Sequence, residues 1–289
     1  MLPRDPEFDK SAPAWHGETL RIDKFTAMEL RIYGRRDDRE NRPLVLHFHG
    51  GSFVSGTLAS AYAVAQLLAE AGAIVVSLDY PLAPFPAAIE AGHAALAWIA
   101  RRGNRGRLGT SASKLFVAGE EAGGNIAAAV AMMARDRLRP RLHGQILISP
   151  MLNPWLATAS MRNANAGTAG CSLAAGWHHY LADPNDAQHP YASPGTAQRL
   201  AGLPPALLLT AQDDPMHDDG IAYAQRLREA GVPARGVVLP GQTGWPCALA
   251  SEQDFNAPWS DTVRQRLRHF FASIDATQPA STSHASFSL

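Results

Sequence analysis

Four short segments hold residues whose types and spacing suit chemistry at a carbonyl group. Residues 46–53 read Leu-His-Phe-His-Gly-Gly-Ser-Phe, an apolar run entering a glycine turn where little side chain obstructs the backbone N–H groups. Such N–H groups, at Gly50, Gly51 and Ser52, are oxyanion-hole material: they suit the negative oxygen that develops when a carbonyl is attacked. Residues 114–126, Lys-Leu-Phe-Val-Ala-Gly-Glu-Glu-Ala-Gly-Gly-Asn-Ile, give an apolar strand, a tight Gly-x-x-x-Gly turn and a helix start. That is the layout of a nucleophile elbow, which presents one side chain at the top of a sheet beside the next N–H, here that of Ala122. Residues 207–220 end a third apolar run in Asp213, Asp214 and Pro215, and residues 237–246 close a fourth with Pro-Gly-Gln-Thr-Gly-Trp-Pro.

These turns need a scaffold, and the hydrophobic pattern supplies one. Short β-branched or aliphatic runs predict strands at Leu20–Ile22, Met28–Tyr33, Pro43–His49, Ala73–Leu78, Lys114–Ala118, Gly144–Ser149, Ala206–Ala211 and Arg235–Leu239. Helical period predicts helices at Ala61–Ala71, Ala87–Arg102, Ala122–Asp136, Asp218–Ala230 and Trp259–Ser273, with Gly72, Gly103 and Gly231 as C′ stops. Alternation of the two kinds of element gives an α/β class: a mostly parallel, eight-stranded sheet with helices on both faces and the first two strands antiparallel. Residues 151–204, with Trp155, Trp177 and Tyr180, hold too much apolar material for a plain connection and read as a small cap insertion. The three aromatics are expected to pack that cap. No internal repeat is visible, and the Ser/Thr/Ala-rich stretch 275–289 reads as a disordered tail.

Composition removes several partners. Lys plus Arg and Asp plus Glu both number 26, so no net charge draws the 289-residue chain to nucleic acid or an acidic membrane. Cys171 and Cys247 form no disulfide framework or metal-spaced array, and His47 and His49 lack a carboxylate or Cys at ligand spacing; no metal and no cofactor is expected. Charged residues break the first ten positions, where a signal peptide would be apolar, and no apolar run is long enough to span a membrane. A cytoplasmic protein is the expectation.

Taken in order, the four segments resemble the hormone-sensitive-lipase-like α/β-hydrolases, whose motifs are His-Gly-Gly-Gly, Gly-Asp-Ser-Ala-Gly-Gly, Asp-Pro-Leu and a late Pro-Gly-x-x-His-Gly-Phe. Asp79-Tyr80-Pro81-Leu82-Ala83-Pro84 is similar to the family's Asp-Tyr-Arg-Leu-Ala-Pro. The similarity runs through residues 18–274, and residues 1–17 read as a short remnant of the family's N-terminal cap, which predicts a more open pocket. The resemblance places Glu121 at the family's serine, Asp214 at its acid and Gly244 at its histidine, so no intact catalytic triad is expected. A serine hydrolase needs the serine oxygen to attack and the imidazole to carry its proton, and both carriers are replaced.

Other residues do not fill the gap. Ser52 lies in the oxyanion turn rather than on the elbow. His217, three residues after Asp214, reads as a surface or helix-start histidine that could swing towards the site, and Asp214 is equally a triad relic or a helix cap. Glu120 reads as a hydrogen-bonding scaffold residue. The helix N-terminus beside Glu121 favours an anion, so its carboxylate is expected to fill the hole offered by Gly51, Ser52 and Ala122. Three readings stay open: a pseudoenzyme holding a small apolar ligand or a protein partner in the old substrate pocket, a hydrolase using Glu121 as nucleophile or acid/base, and a structural subunit of a homo-oligomer.

Overall fold

The computed structural model describes residues 15–21, 27–34, 42–108, 114–162, 167–250 and 257–276. Eight aliphatic runs form strands: β1 (Trp15–Arg21), β2 (Ala27–Tyr33), β3 (Leu44–Phe48), β4 (Ile74–Leu78), β5 (Leu115–Glu120), β6 (Gly144–Ile148), β7 (Ala206–Ala211) and β8 (Ala234–Leu239). They make one sheet in the order β1-β2-β4-β3-β5-β6-β7-β8. β1 pairs with β2 and β2 with β4 antiparallel, and every later pairing is parallel. The central strands β3 to β7 are buried at every position, because helices cover both faces; their sequences are therefore continuous apolar runs without alternation.

The helices are α1 (Tyr62–Glu70), α2 (Ala87–Ile99), α3 (Arg102–Arg107), α4 (Ala122–Asp136), α5 (Ala159–Arg162), α6 (Gly167–Tyr180), α7 (His217–Glu229) and α8 (Ser260–Ala276). Ile89, Leu96, Val130 and Leu227 of α2, α4 and α7 fill the core on one face. Val64 and Leu68 of α1 and Val263 and Leu267 of α8 fill the core on the other. α4 is buried from Ala122 to Ala134, which explains its Ala- and Gly-rich, uncharged sequence. Its small residues let it approach the sheet closely: a β-carbon on Gly123 would lie 2.0 Å from the Phe48 carbonyl oxygen. That approach sets the start of α4 against the end of β3. Register does the rest, pairing Phe48 with Gly119 so that the Gly50–Ser52 turn and the Glu120–Glu121 turn leave the sheet side by side.

Most predicted elements stand within a few residues of their expected bounds, and α4 has the predicted limits. Gly72 and Gly231 take the left-handed φ of C′ glycines, +107° and +78°. Gly103 does not: α2 ends at Ile99, Arg101 is extended, and Gly103 lies inside α3, which periodicity merged with α2. The 151–204 segment holds α5, α6 and two 3₁₀ turns, Pro184–Gln188 and Pro194–Thr196. Trp177 and Tyr180 are buried there against Phe53, whereas Trp155 is 66% exposed. The expected tail begins inside α8, which reaches Ala276, and residues 277–289 lie outside the described residues. So does most of the N-terminal remnant, while its residues 15–17 belong to β1. No helix among the described residues is long and apolar enough to cross a membrane.

Candidate active site

Glu121 is the single residue between β5 and α4, held at φ 53° and ψ −117°. An L-residue rarely adopts this conformation, and the surrounding bonds enforce it. The Glu121 N–H donates to Ile148 O at 3.0 Å, and its carbonyl accepts the N–H groups of Gly124 and Met151 at 3.1 and 3.0 Å. The facing turn is equally constrained, with positive φ at Gly51, Ser52 and Phe53. Only glycine fits at Gly51, where a β-carbon would meet the Ser55 carbonyl oxygen at 2.1 Å.

The two adjacent glutamates do different work. Glu120 is buried; its Oε1 accepts the Gly50 N–H at 3.0 Å, and its Oε2 lies 2.7 Å from His47 Nε2. His47 Nδ1 lies 3.1 Å from Ser77 Oγ, so a hydrogen-bonded chain runs from β4 through β3 to β5 and ties the glycine turn to the sheet. Glu120 is the scaffold residue its position suggested. Glu121 Oε2 accepts the Gly51 N–H and its Oε1 accepts the Ser52 hydroxyl, both at 2.6 Å. Burial pushes the Glu121 carboxyl above its ordinary range, while the Ser52 and Gly51 donors hold it back and the neighbouring Glu120 charge adds to the rise.

The expected oxyanion donors therefore divide. Gly51 and Ser52 bond Glu121, Gly50 is turned to Glu120, and the Ala122 N–H is not a partner of either carboxylate. Gly50 departs from its expected role because the buried Glu120 oxygen needs a donor and has this one within reach. The turn is also roofed. A β-carbon on Gly176 of α6 would lie 2.0 Å from the Ser52 carbonyl oxygen, and Phe53 stacks on Tyr180 with ring centroids 4.1 Å apart. α6, from the expected cap insertion, thus lies on the glycine turn.

Asp214 is 1% exposed and takes the Thr210 hydroxyl at 2.6 Å and the Met216 N–H at 2.9 Å. Burial raises its carboxyl against these donors. Its neighbour Asp213 holds the loop after β8, accepting from Thr243 N, Thr243 Oγ1 and Gly244 N at 2.7, 2.8 and 2.8 Å. The Asp213-Asp214 doublet signalled an acid at this strand end but not this division of labour. Gly244 has φ +72°, a conformation that disfavours a side chain. His217 opens α7 and its imidazole faces Asp218 at 3.6 Å. His49 is buried against Tyr80 with its Nδ1 on Gly50 O, and burial holds its pKa down. Among the described residues no imidazole hydrogen-bonds Glu121, Ser52 or Asp214. None of their His, Cys, Asp and Glu side chains cluster as a metal site.

Residues 45–244 match a family model described as the alpha/beta hydrolase fold. The chain is 37% identical over 213 residues to an arylesterase of Saccharolobus solfataricus, covering 71% of this chain and 68% of that one. It is 39% identical over 224 residues to carboxylesterase NlhH of Mycobacterium tuberculosis, covering 74% and 69%. Among solved structures, the hyperthermophilic esterase of Pyrobaculum calidifontis superposes with a TM-score of 0.76 at 36% identity, covering 90% of this chain and 85% of that one. With this match, this sheet order and this elbow, the chain belongs to the α/β-hydrolase fold family, in its hormone-sensitive-lipase-like branch.

Proposed function

We propose that this chain is a non-hydrolysing descendant of esterases that holds a small, largely apolar ligand or a protein partner at the former substrate crevice. The observation that carries the reading is the pair of 2.6 Å bonds from Gly51 N–H and Ser52 Oγ to the Glu121 carboxylate. A carboxylate in that place repels the oxygen of an incoming ester and uses the donors that would stabilise it. The family resemblance supplies the second support: of the three triad positions, only the acid at Asp214 is kept. In a comparable triad, loss of the serine or the histidine alone lowers turnover roughly a millionfold.

The same Ser52–Glu121 bond favours one catalytic alternative, in which Glu121 acts as base towards Ser52 or attacks substrate itself. Among the described residues no imidazole reaches Ser52 or Glu121 to carry a proton to the leaving group, which counts against turnover. Hydrolysis of short p-nitrophenyl esters separates the two readings. The proposal expects rates at buffer background in both wild type and Glu121→Ala, with thermal shifts on adding apolar small molecules; turnover that vanishes in Glu121→Ala overturns it. A mass that rises with concentration in light scattering would instead favour the homo-oligomeric subunit.

A further inference from the structure

A groove of about 570 Å³ lies at the N-terminal ends of β6, β7 and β8, at the opposite end of the strands from Glu121. Its volume falls within the range of small-molecule sites. Leu142, Pro205, Ala206, Phe270 and Ile274 give it an apolar floor and wall. Arg141, Arg228 and Arg235 stand around it, all exposed, and none of the three makes an ion pair among the described residues. Among the described residues no carboxylate lines it.

The field is positive even after the opposing dipoles are counted. α7 and α8 both end here, and their C-termini contribute roughly half a negative charge each. Three guanidiniums outweigh that by about two charges. His143, also on the lining, adds a donor without adding charge: its Nδ1 accepts the Leu115 N–H at 3.2 Å, which leaves the proton on Nε2. Burial, then the nearby Arg141 and Lys114 cations, hold its pKa down.

We infer that this groove binds an amphipathic monoanion, of which a medium-chain carboxylate is the simplest form, its head among the arginines and its apolar body along Leu142, Pro205 and Ile274. Both halves of the ligand are required. Exposed ion pairs are individually weak, so a bare anion gains little from solvent-facing arginines. A neutral apolar molecule leaves the guanidiniums to solvent, with one Arg228 N–H on the Ala234 carbonyl at 3.4 Å, whereas carboxylate geometry suits their remaining donors.

Calorimetric titration of the full chain with submicellar decanoate tests the site, with decanol and acetate as single-feature controls. Saturable decanoate binding is expected, at least about tenfold tighter than either control and weakening as salt rises. Arg228→Gln/Arg235→Gln should weaken it about tenfold and Arg235→Glu further; both arginines stand at the opposite end of the sheet from Glu121, so this loss separates the groove from the crevice. Absence of decanoate binding, equal binding of decanol, or full affinity in both arginine variants overturns the assignment.

Discussion

Gly51 donates its N–H to Glu121 Oε2 at 2.6 Å, so a backbone donor of the glycine turn is occupied by a side chain from the facing turn. The bond joins the end of β3 to the start of α4, residues 70 positions apart. It makes the carboxylate an internal ligand of the glycine turn.

That ligand leaves a signature in pH. The Glu121 carboxyl lies above its ordinary value of 4.5 because burial penalises its charge. The folded chain therefore holds this proton to higher pH than the unfolded chain does. Stability is greatest below the ordinary carboxylate range, declines as pH rises from there through the raised value, and is flat above it. Asp214 and Asp219 are raised by burial too, Asp219 to about 6, and add slopes of the same sign. Glu121→Gln keeps an acceptor for Gly51 and removes one of these three falling contributions, while His49, His93 and His143, held low by burial, add a rise with pH common to both proteins. The melting temperature of Glu121→Gln relative to wild type should therefore increase between about pH 4 and pH 8; an unchanged difference would show that the carboxyl is not perturbed.

Restoring the resembled triad should need two changes. Glu121→Ser alone supplies a hydroxyl that nothing deprotonates, so ester turnover should stay at background. Glu121→Ser with Gly244→His should show weak turnover. A β-carbon at Gly244 meets only the Ala248 methyl, at 3.5 Å, so space exists, but φ of +72° adds strain of about 1–2 kcal/mol. Initial rates on p-nitrophenyl acetate decide; equal rates in the single and double variants would reveal another base in the crevice.

How far these residues were legible in the sequence depends on the distance over which each acts. The strand–turn–helix around Glu121 is local, so the limits of α4 and the elbow could be read directly. The buried runs of β3 to β7 carried the parallel sheet for the same reason. His47 and Glu120 are 73 residues apart, and only the register of β3 on β5 brings them together. The division of Asp213 from Asp214 rests on a loop 30 residues later. Gly176 carried no signal in the sequence, because its meaning lies in the Ser52 carbonyl it touches.

The His47–Glu120 pair should be a major source of stability around the turn. Glu120→Ala leaves the Gly50 N–H and the buried His47 ring without their acceptor, at a cost of about 3 kcal/mol. A melting temperature roughly 8 °C lower follows for a chain of this size. Glu120→Gln retains the acceptor for Gly50 and can donate to His47 in its other tautomer, so it should recover more than half of that loss. Equal destabilisation by Ala and Gln would mean that the charge, rather than the bonding pattern, holds the turn.

Gly176→Ala sets helix propensity against packing. Alanine favours a helix interior by about 1 kcal/mol over glycine, which alone would raise the melting temperature. Here the added methyl would sit 2.0 Å from Ser52 O, a backbone atom that cannot rotate away, so α6 must lift from the glycine turn. Overpacking of this kind costs about 1–3 kcal/mol or more, and packing wins. The variant should melt roughly 5 °C lower by calorimetry, and Ser52 and Phe53 amides should exchange faster with deuterium as their cover moves. A higher melting temperature with unchanged exchange would show that α6 does not bear on the turn.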